Sequence, residues 1–382
     1  MSRPSRSRAD GWPSIAVSGG SIAGLAAAVS FHRQGMDVQV FERDEGVLSS
    51  TGAGLVMQPE LSNLFVETDG PALPVTRCVG RRYLSYGGSA GRLQRMPQEF
   101  TSWDGVYTSL LGRLPSELYH SGARVDKVER TPRGLVIGVA GRGTVEADVL
   151  VAADGAQSPM RRHLMPELEA RYAGYVAWRG TVRERDMPRS IVEAFDDVFT
   201  FSDARSGGHA LAYFIPGDDL QTARGQRRMN WVWYVGANPT ERDRLLVTRD
   251  GYQRHASLRR GMARDDIIAE LHAAAPLELH PMFAELVKLT PDPFLQTIVD
   301  LGVPRTVFDR TVLVGDAAFV VRPHTAGGAA KAARDGQALA GLLARAKSNV
   351  DDGLAAFEET QLDYGRELLA YGVELGRQWA RV

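Results

Sequence analysis

Apolar positions along this chain fall into short runs whose spacing changes from one region to the next. Ile15 to Val17 and Val38 to Phe41 read as brief strands. Ser21 to Gln34 between them is rich in Ala and Leu, as a helix requires, and Gly35 stands where that helix should stop. Thr51 to Pro59, TGAGLVMQP, reads as a glycine-interrupted loop entering a helix that includes Leu61 to Phe65. Residues 76 to 100, with Tyr83, Tyr86, Gly87 and Gly88, suggest short strands and turns, and Asp104 to His120 is helical in its middle. Arg124 to Ala147 alternates apolar and polar positions around Pro132, Gly134 and Gly141, the pattern of an antiparallel meander. VLVAA, ahead of Asp154-Gly155, is apolar throughout, so it belongs in a parallel sheet with Ile15, buried on both faces. Ser158 to Leu164 then begins a helix.

From Tyr172 the period changes. Tyr175, Trp178, Phe195, Phe199, Phe201, Tyr213, Phe214, Trp231, Trp233 and Tyr234 crowd into about sixty residues at strand spacing, predicting a second, β-rich lobe with an aromatic face. Helices at Asp265 to His272 and Met282 to Lys288 close it. Thr311 to Val314 restores an apolar strand before Gly315-Asp316, and a loop runs through Arg322-Pro323 to Gly327-Gly328. Long helices follow from about Ala329 to Ala346 and Leu354 to Trp379.

At 382 residues, with 44% hydrophobic and 24% charged content, the chain suits a two-lobed globular protein with a large core. Forty-five basic against 46 acidic residues leave a net charge of -1, which argues against nucleic-acid or membrane-surface binding. No run approaches the ~20 apolar residues of a membrane span. A single cysteine, Cys78, permits no intramolecular disulfide and no cysteine metal cluster, so no metal is expected and a cytoplasmic setting is. The basic start, SRPSRSRAD, reads as a polar arm rather than a leader peptide. A homo-oligomer, dimer or higher, is expected.

The first strand–helix–strand unit carries Gly19, Gly20, Ser21, Ile22, Ala23 and Gly24 at its turn, with Glu42 closing the second strand 23 residues after Gly19. Gly19 permits the tight turn, Gly24 brings helix close to sheet, and the helix N-terminus offers N–H groups to a pyrophosphate. Glu42 stands where a carboxylate accepts ribose hydroxyls. Ser21 replaces a glycine; its hydroxyl either caps the helix or bonds phosphate oxygen.

Three motifs, GGSIAG with Glu42, VLVAADGAQSPMRR, and RTVLVGDAAFVVRPHTAGG, resemble in order and spacing the single-component FAD-dependent aromatic hydroxylases, the family of p-hydroxybenzoate hydroxylase. Within it, FIPG, NWVWY and RPHTAGGAAKA are most similar to hydroxylases of hydroxypyridine rings, with a pyridinol hydroxylase of a natural-product pathway as a further kin. The resemblance implies an α/β fold with a Rossmann-like FAD-binding domain on a parallel sheet, at residues 1–75, 101–171 and 290–382. A β-rich, antiparallel-sheet substrate domain would span 76–100 and 172–289, with C-terminal helices.

It also implies bound FAD, NAD(P)H as a transient co-substrate, O2, and oxygen transfer to an electron-rich small aromatic substrate through a flavin C4a-hydroperoxide. Asp154-Gly155 would lie beside the pyrophosphate and Gly315-Asp316 at the ribitol. Pro323, Gly327, Gly328 and Ala329 would lie at the flavin, whose anionic edge a helix N-terminus stabilises. Two positions depart from the family: Phe319 replaces a histidine in GDAAH, and Thr108 stands for an arginine that contacts FAD, for which Arg43 or Arg113 are the substitutes.

For chemistry, His324 either orients or deprotonates the ring hydroxyl, or is a backbone-bonded loop histidine. Arg322 pairs either with an ionised substrate oxygen or with a surface carboxylate. His209, Leu211 and Tyr213 share a strand face; Tyr213 and His209 either meet a ring oxygen or are core. Trp231 and Trp233 are expected as walls. The competing readings are a flavin-dependent halogenase, prompted by WVWY but lacking the proline and lysine of that motif, and a non-catalytic flavin-fold binding protein.

Overall fold

The computed structural model describes residues 11–46, 48, 54–88, 91–132 and 134–379; the arm at 2–10 and the start of the Thr51 loop lie outside them. The apolar runs of the first lobe converge on one sheet of six strands. Ser14–Ser18 pairs in parallel with Asp37–Phe41 on one side and Val149–Ala152 on the other, and Val149–Ala152 pairs in parallel with Thr311–Leu313. Each run is apolar because both faces are covered. Val17, Val38 and Val151 pack among residues of the helices Ile22–Arg33, Trp103–Leu111 and Gly328–Ala346. Ala16, Leu150 and Leu313 pack on the other face against Leu135, Ile137 and Val139 of a three-stranded meander, which the alternation at Arg124 to Ala147 predicts.

The helix predicted within Asp104 to His120 covers only nine residues, Trp103–Leu111. Ser102 starts it by accepting the Gly105 N–H, and Pro115 lies four residues after its end, while Tyr119–His120 joins the parallel sheet.

The second lobe is built on a ten-stranded sheet. Residues 76 to 100 contribute two nine-residue strands, Thr76–Leu84 and Gln94–Ser102, rather than short strands and turns. The sheet also takes in Gly54–Val56 and Phe294–Gly302, so it extends beyond 76–100 and 172–289 into segments on both sides. Phe294–Gly302 crosses between the lobes: Leu295 packs in the core of the second and Leu301 in that of the first.

One face of this sheet is sealed by helices that include Asp265–Glu278, longer than the span predicted to His272, and Pro281–Lys288. Trp231 and Trp233 point into that sealed core, so they wall the helical side and not the side facing the first lobe. Trp231 Nε1 donates to Thr290 Oγ1 at 2.8 Å, and that hydroxyl donates to the Leu286 carbonyl. The opposite face carries Tyr175, Ala177, Val232 and Tyr234.

The C-terminal helix, Val350–Trp379, runs back along the first lobe. At Gly376 a side chain would collide with the Arg322 guanidinium and stand 3.0 Å from Tyr175 Oη, so the helix is notched where this pair passes. No helix among the described residues is long and apolar enough to cross a membrane.

The Trp231–Thr290 bond lies wholly in the sealed core, so Thr290→Val, which conserves volume, leaves the indole N–H unpaired there. Unfolding free energy measured in urea should fall by about 1–3 kcal/mol; an unchanged midpoint would show that the bond carries no net stability.

Candidate active site

Between the lobes lies a cavity of about 780 Å³. Its first-lobe wall begins at the glycine turn. Gly19 has φ +100 and stands so close to the Ala153 carbonyl that a side chain would not fit. Ser21, at the N-cap of helix Ile22–Arg33, makes no capping bond; it lines the cavity with Ile22 and Ala23, next to first-turn N–H groups that no intrahelical carbonyl accepts. Gly24 lies against the Gly19 carbonyl.

Glu42 is buried, with Oε2 accepting the Gly20 N–H at 2.7 Å and Oε1 the Asp44 N–H at 2.9 Å. Each oxygen keeps a lone pair for a ribose hydroxyl. Tyr119 Oη holds the Gly20 carbonyl from the other side at 3.2 Å.

The loops after the two further parallel strands meet at this turn. Asp154 accepts the Met160 N–H through Oδ2, while Oδ1 is buried with no partner among the described residues. Burial raises its carboxyl pKa, against the pull of Ser158 and of backbone N–H groups. Gly155 lines the cavity. Arg161 donates to the carbonyls of Ala156, Asp316 and Ala317, tying both loops together.

Gly315, at φ +58, packs directly on Ala23, where a side chain would approach to 2.6 Å. Its N–H is accepted by Asp335 at 2.8 Å, and its carbonyl accepts Lys331 Nζ at 3.3 Å. Lys331 and Asp335 form an ion pair, with side chains 2% and 1% exposed. Asp316 follows, its carboxylate open to the cavity although it lies deep in the molecule. Burial pushes its pKa up, and Lys331 and then Arg161 draw it back.

These groups fit FAD. The glycine cradle admits no side chain, Asp154 Oδ1 lacks a partner, and Asp316 opens into the space. Glu42 would hold the adenosine ribose, the turn at Ser21–Ala23 the pyrophosphate, Asp316 the ribitol, and the N-terminus of helix Gly328–Ala346 the flavin edge. Gly327 and Ala329 flank Gly328 at that N-terminus, after a 3-10 turn at Pro323–Thr325.

Arg43 is exposed, facing Asp44 at 3.8 Å, and Arg113 is tied to Thr68, Ser109 and Pro71; neither lines the cavity. Thr108 faces solvent, bonded to the Asp104 carbonyl. The residue of its helix that reaches the cavity is Trp103, five positions earlier and so on another face. Phe319 is buried under the first-lobe sheet, 5.4 Å from Lys331 Nζ.

The second-lobe wall is aromatic: Tyr83, Phe199, Phe201, Tyr213, Tyr234 and Phe294 line it. Tyr213 stacks on Phe100 at 4.3 Å, its hydroxyl pKa pushed up to about 12 by burial. His324 enters this wall from the loop, 4.3 Å from Tyr234 and 5.3 Å from His209, ring centre to ring centre. Burial and then Arg322 lower its pKa to about 4, and burial and then His324 lower that of His209 to about 3. His324 is therefore neutral at pH 7, too weak a base to take a phenolic proton.

Its ring is held by its neighbours. His324 Nε2 lies 2.9 Å from Tyr175 Oη, which also receives Arg322 Nη1 at 3.4 Å. Arginine only donates, and the tyrosine oxygen has room to accept a second proton or to give its own, so the Tyr175–His324 bond runs either way with the imidazole tautomer. Arg322 itself is locked to Asp300 by two bonds of 2.7 and 2.6 Å, both side chains nearly buried. It pairs with a carboxylate, but with one between the lobes and not at the surface.

Tyr175, Asp300, Arg161, Lys331 and Asp335 were not anticipated as site residues. Of these, only Lys331 and Asp335 carried a local signal, opposite charges at i, i+4 on a helix of small residues. The cavity lining holds no lysine among the described residues, and no cluster of possible metal ligands occurs among them.

A dinucleotide cradle opening into an aromatic-walled chamber is the layout of a flavin-dependent oxygenase. A family signature described as FAD binding domain-like matches residues 172–300, within the second lobe. The chain is 32% identical over 362 residues to 2,6-dihydroxypyridine 3-monooxygenase of Paenarthrobacter nicotinovorans, covering 93% of this chain and 88% of that enzyme. The structure of 2,6-dihydroxypyridine-3-hydroxylase from Arthrobacter nicotinovorans superposes with a TM-score of 0.89 at 29% identity, over 96% of this chain and 93% of that one. Identity to 6-hydroxynicotinate 3-monooxygenase of Pseudomonas fluorescens is 26%, over 87% of this chain and 82% of the relative. The chain belongs to the FAD-dependent aromatic hydroxylases: it is a flavoprotein monooxygenase that uses NAD(P)H and O2.

Removing one member of the ion pair under Gly315 strands a buried charge. Asp335→Ala should cost about 3–5 kcal/mol and weaken FAD retention, whereas Lys331→Met with Asp335→Leu should recover most of the stability. Equal losses in the single and double variants, by denaturation of the holoprotein, would contradict this.

Both imidazoles sit below the ordinary 6.5, so unfolding takes up protons. Their contribution to stability is complete above that value and drains as pH falls toward 4 for His324 and 3 for His209. The melting temperature should therefore drop between pH 6.5 and 4, and His324→Gln should make the slope shallower; an unaltered slope would refute the buried, neutral state.

Proposed function

We propose that this chain hydroxylates a small, electron-rich hydroxypyridine or phenol ring held between the flavin edge and the aromatic wall, in N-heterocycle catabolism or natural-product tailoring. The observation that carries it is His324. Its loop joins the flavin-binding helix start to Tyr234 of the substrate wall, and its imidazole, held by Tyr175 behind it, is the polar group offered to a ring oxygen. FAD reduced by NAD(P)H supplies, from O2, an electrophilic oxygen atom for the ring.

The protein's part is to orient the ring, keep water out and hold one proton in place. Tyr175 positions the His324 ring, and the Arg322–Asp300 pair fixes Tyr175. Phe199, Phe201 and Phe294 desolvate the ring face, which limits loss of oxidant to peroxide. Tyr213 and His209 shape the chamber; both stay neutral and contribute no base. A cytoplasmic setting suits the single, buried Cys78, whose thiol burial makes it less acidic.

The purified protein should release a yellow chromophore on denaturation. A panel of hydroxypyridines and phenols should reveal a ring that stimulates NAD(P)H oxidation and gains one oxygen by mass. Colourless protein without such oxidation would dispose of the proposal. His324→Ala should keep FAD but slow hydroxylation about ten- to a hundredfold and divert NAD(P)H consumption to peroxide. Undiminished coupling would remove His324 from the chemistry.

A further inference from the structure

We infer that Trp103 is a cofactor-binding residue: its indole N–H donates to the diphosphate of FAD, in a groove whose own wall offers that dianion neutral donors and no cation. This goes beyond the proposed ring hydroxylation and holds whichever ring the chamber takes.

Two negative charges have to be held beside the turn at Ser21–Ala23, and the first-lobe wall has no lysine or arginine with which to hold them. Among the described residues the charged group on that wall is a carboxylate, Asp316, while the arginines of the cavity, Arg81, Arg179, Arg259 and Arg260, all belong to the second lobe. Arg43 and Arg113 are engaged elsewhere. An anion so placed is held by N–H and O–H groups aimed at it. The first turn of helix Ile22–Arg33 offers N–H groups, and Ser21 a hydroxyl that caps nothing. Gln58 lines the same wall from the N-cap of helix Pro59–Glu67, where its side chain likewise makes no capping bond.

Trp103 adds a donor of a different kind. Trp231 gives its N–H to Thr290, and the N–H of Trp233 is closed off in the sealed core. Trp103 is only half-buried and lines the cavity, and its Nε1 is neither enclosed nor bonded to any acceptor among the described residues. An indole nitrogen only donates, so what it takes is an acceptor.

The ring is also fixed in place. It stacks on Tyr107, one helical turn on, at 5.2 Å and 11° between planes. Tyr107 Oη accepts the Leu48 N–H at 3.3 Å and lies 3.4 Å from Tyr119 Oη, which donates to the Gly20 carbonyl at 3.2 Å. Stack and hydroxyl chain fasten the indole to the same glycine turn that forms the diphosphate groove. Asp104, next in the chain, faces Arg228 of the second lobe at 3.4 Å instead.

Neutral donors and cations hold an anion in ways that salt tells apart. A hydrogen bond acts at contact distance, whereas the field of a solvent-exposed guanidinium is screened by dissolved ions. FAD affinity in this protein should therefore respond little to ionic strength.

The test is dissociation of FAD from the holoenzyme, read by flavin fluorescence on dilution at low and high NaCl, with ADP as a competitor that has the diphosphate and no flavin. Trp103→Phe keeps the stack and removes the N–H. It should weaken FAD about 10- to 100-fold, the worth of a hydrogen bond to a charged group. The ratio of ADP to FAD at half displacement should stay as in the parent, because both ligands lose the same bond. Trp103→Arg puts a cation in the same place; its affinity should recover at low salt and fall several-fold at high salt, where the parent changes less than about twofold. Unchanged FAD affinity in Trp103→Phe would overturn the inference. A lowered ADP ratio would do the same by placing the indole at the isoalloxazine, and a steep salt dependence in the parent by giving the diphosphate to Arg259 or Arg260 across the cavity. Should Trp103→Phe fail to fold, the salt series on the parent and Trp103→Arg carries the test alone.

Discussion

A buried ion pair beneath one glycine organises the first lobe. Asp335 takes the N–H of Gly315 and Lys331 its carbonyl, so the turn that ends strand Thr311–Leu313 is clamped to helix Gly328–Ala346. Because Gly315 rests on Ala23, the clamp also sets where the helix beginning at Ile22 starts, and with it the cradle beside Ser21. A charge so buried is stable only while its partner is present. Glycine cradle, Asp316 and long helix are therefore formed as one unit.

The second lobe solves a different problem, that of keeping a polar reaction dry. Its sheet is sealed by helices and tryptophans on one side and turns tyrosines, histidines and phenylalanines toward the flavin on the other. Asp300, Arg322 and Tyr175 hold His324 through contacts made by both lobes, so the His324 loop is positioned by the lobe interface and not by its own chain. Burial keeps His209, His324, Tyr213 and Tyr234 of this chamber in their neutral forms.

Much of this was legible because it is local. Gly19, Gly24 and Glu42 lie within one strand–helix–strand unit, so residue type and spacing suffice to read them, whereas Asp154 and Asp316 each end an apolar run and are tied to a cofactor by the family resemblance. The strands at 76–100 were blurred because residues 91–97 are exposed on both faces, which erases the period-two signal. Thr108 stands where relatives place a cofactor-contacting arginine; helical phase turns that position to solvent and brings Trp103 to the cavity. The partners of His324 could not be read at all. Tyr175 precedes it by 149 residues and Asp300 precedes Arg322 by 22, and nothing in the local pattern of either distinguishes it from a core aromatic or a surface acid.

The notch at Gly376 carries a consequence beyond packing. Glycine inside a helix weakens it by about 1 kcal/mol relative to alanine, so helix Val350–Trp379 is least self-sufficient where Arg322 and Tyr175 press against it. Its last turns are held by docking on the loop, and the loop by docking on them. Loop and helix are thus a single cooperative segment, and any opening that releases the His324 loop toward solvent must loosen the end of the C-terminal helix with it.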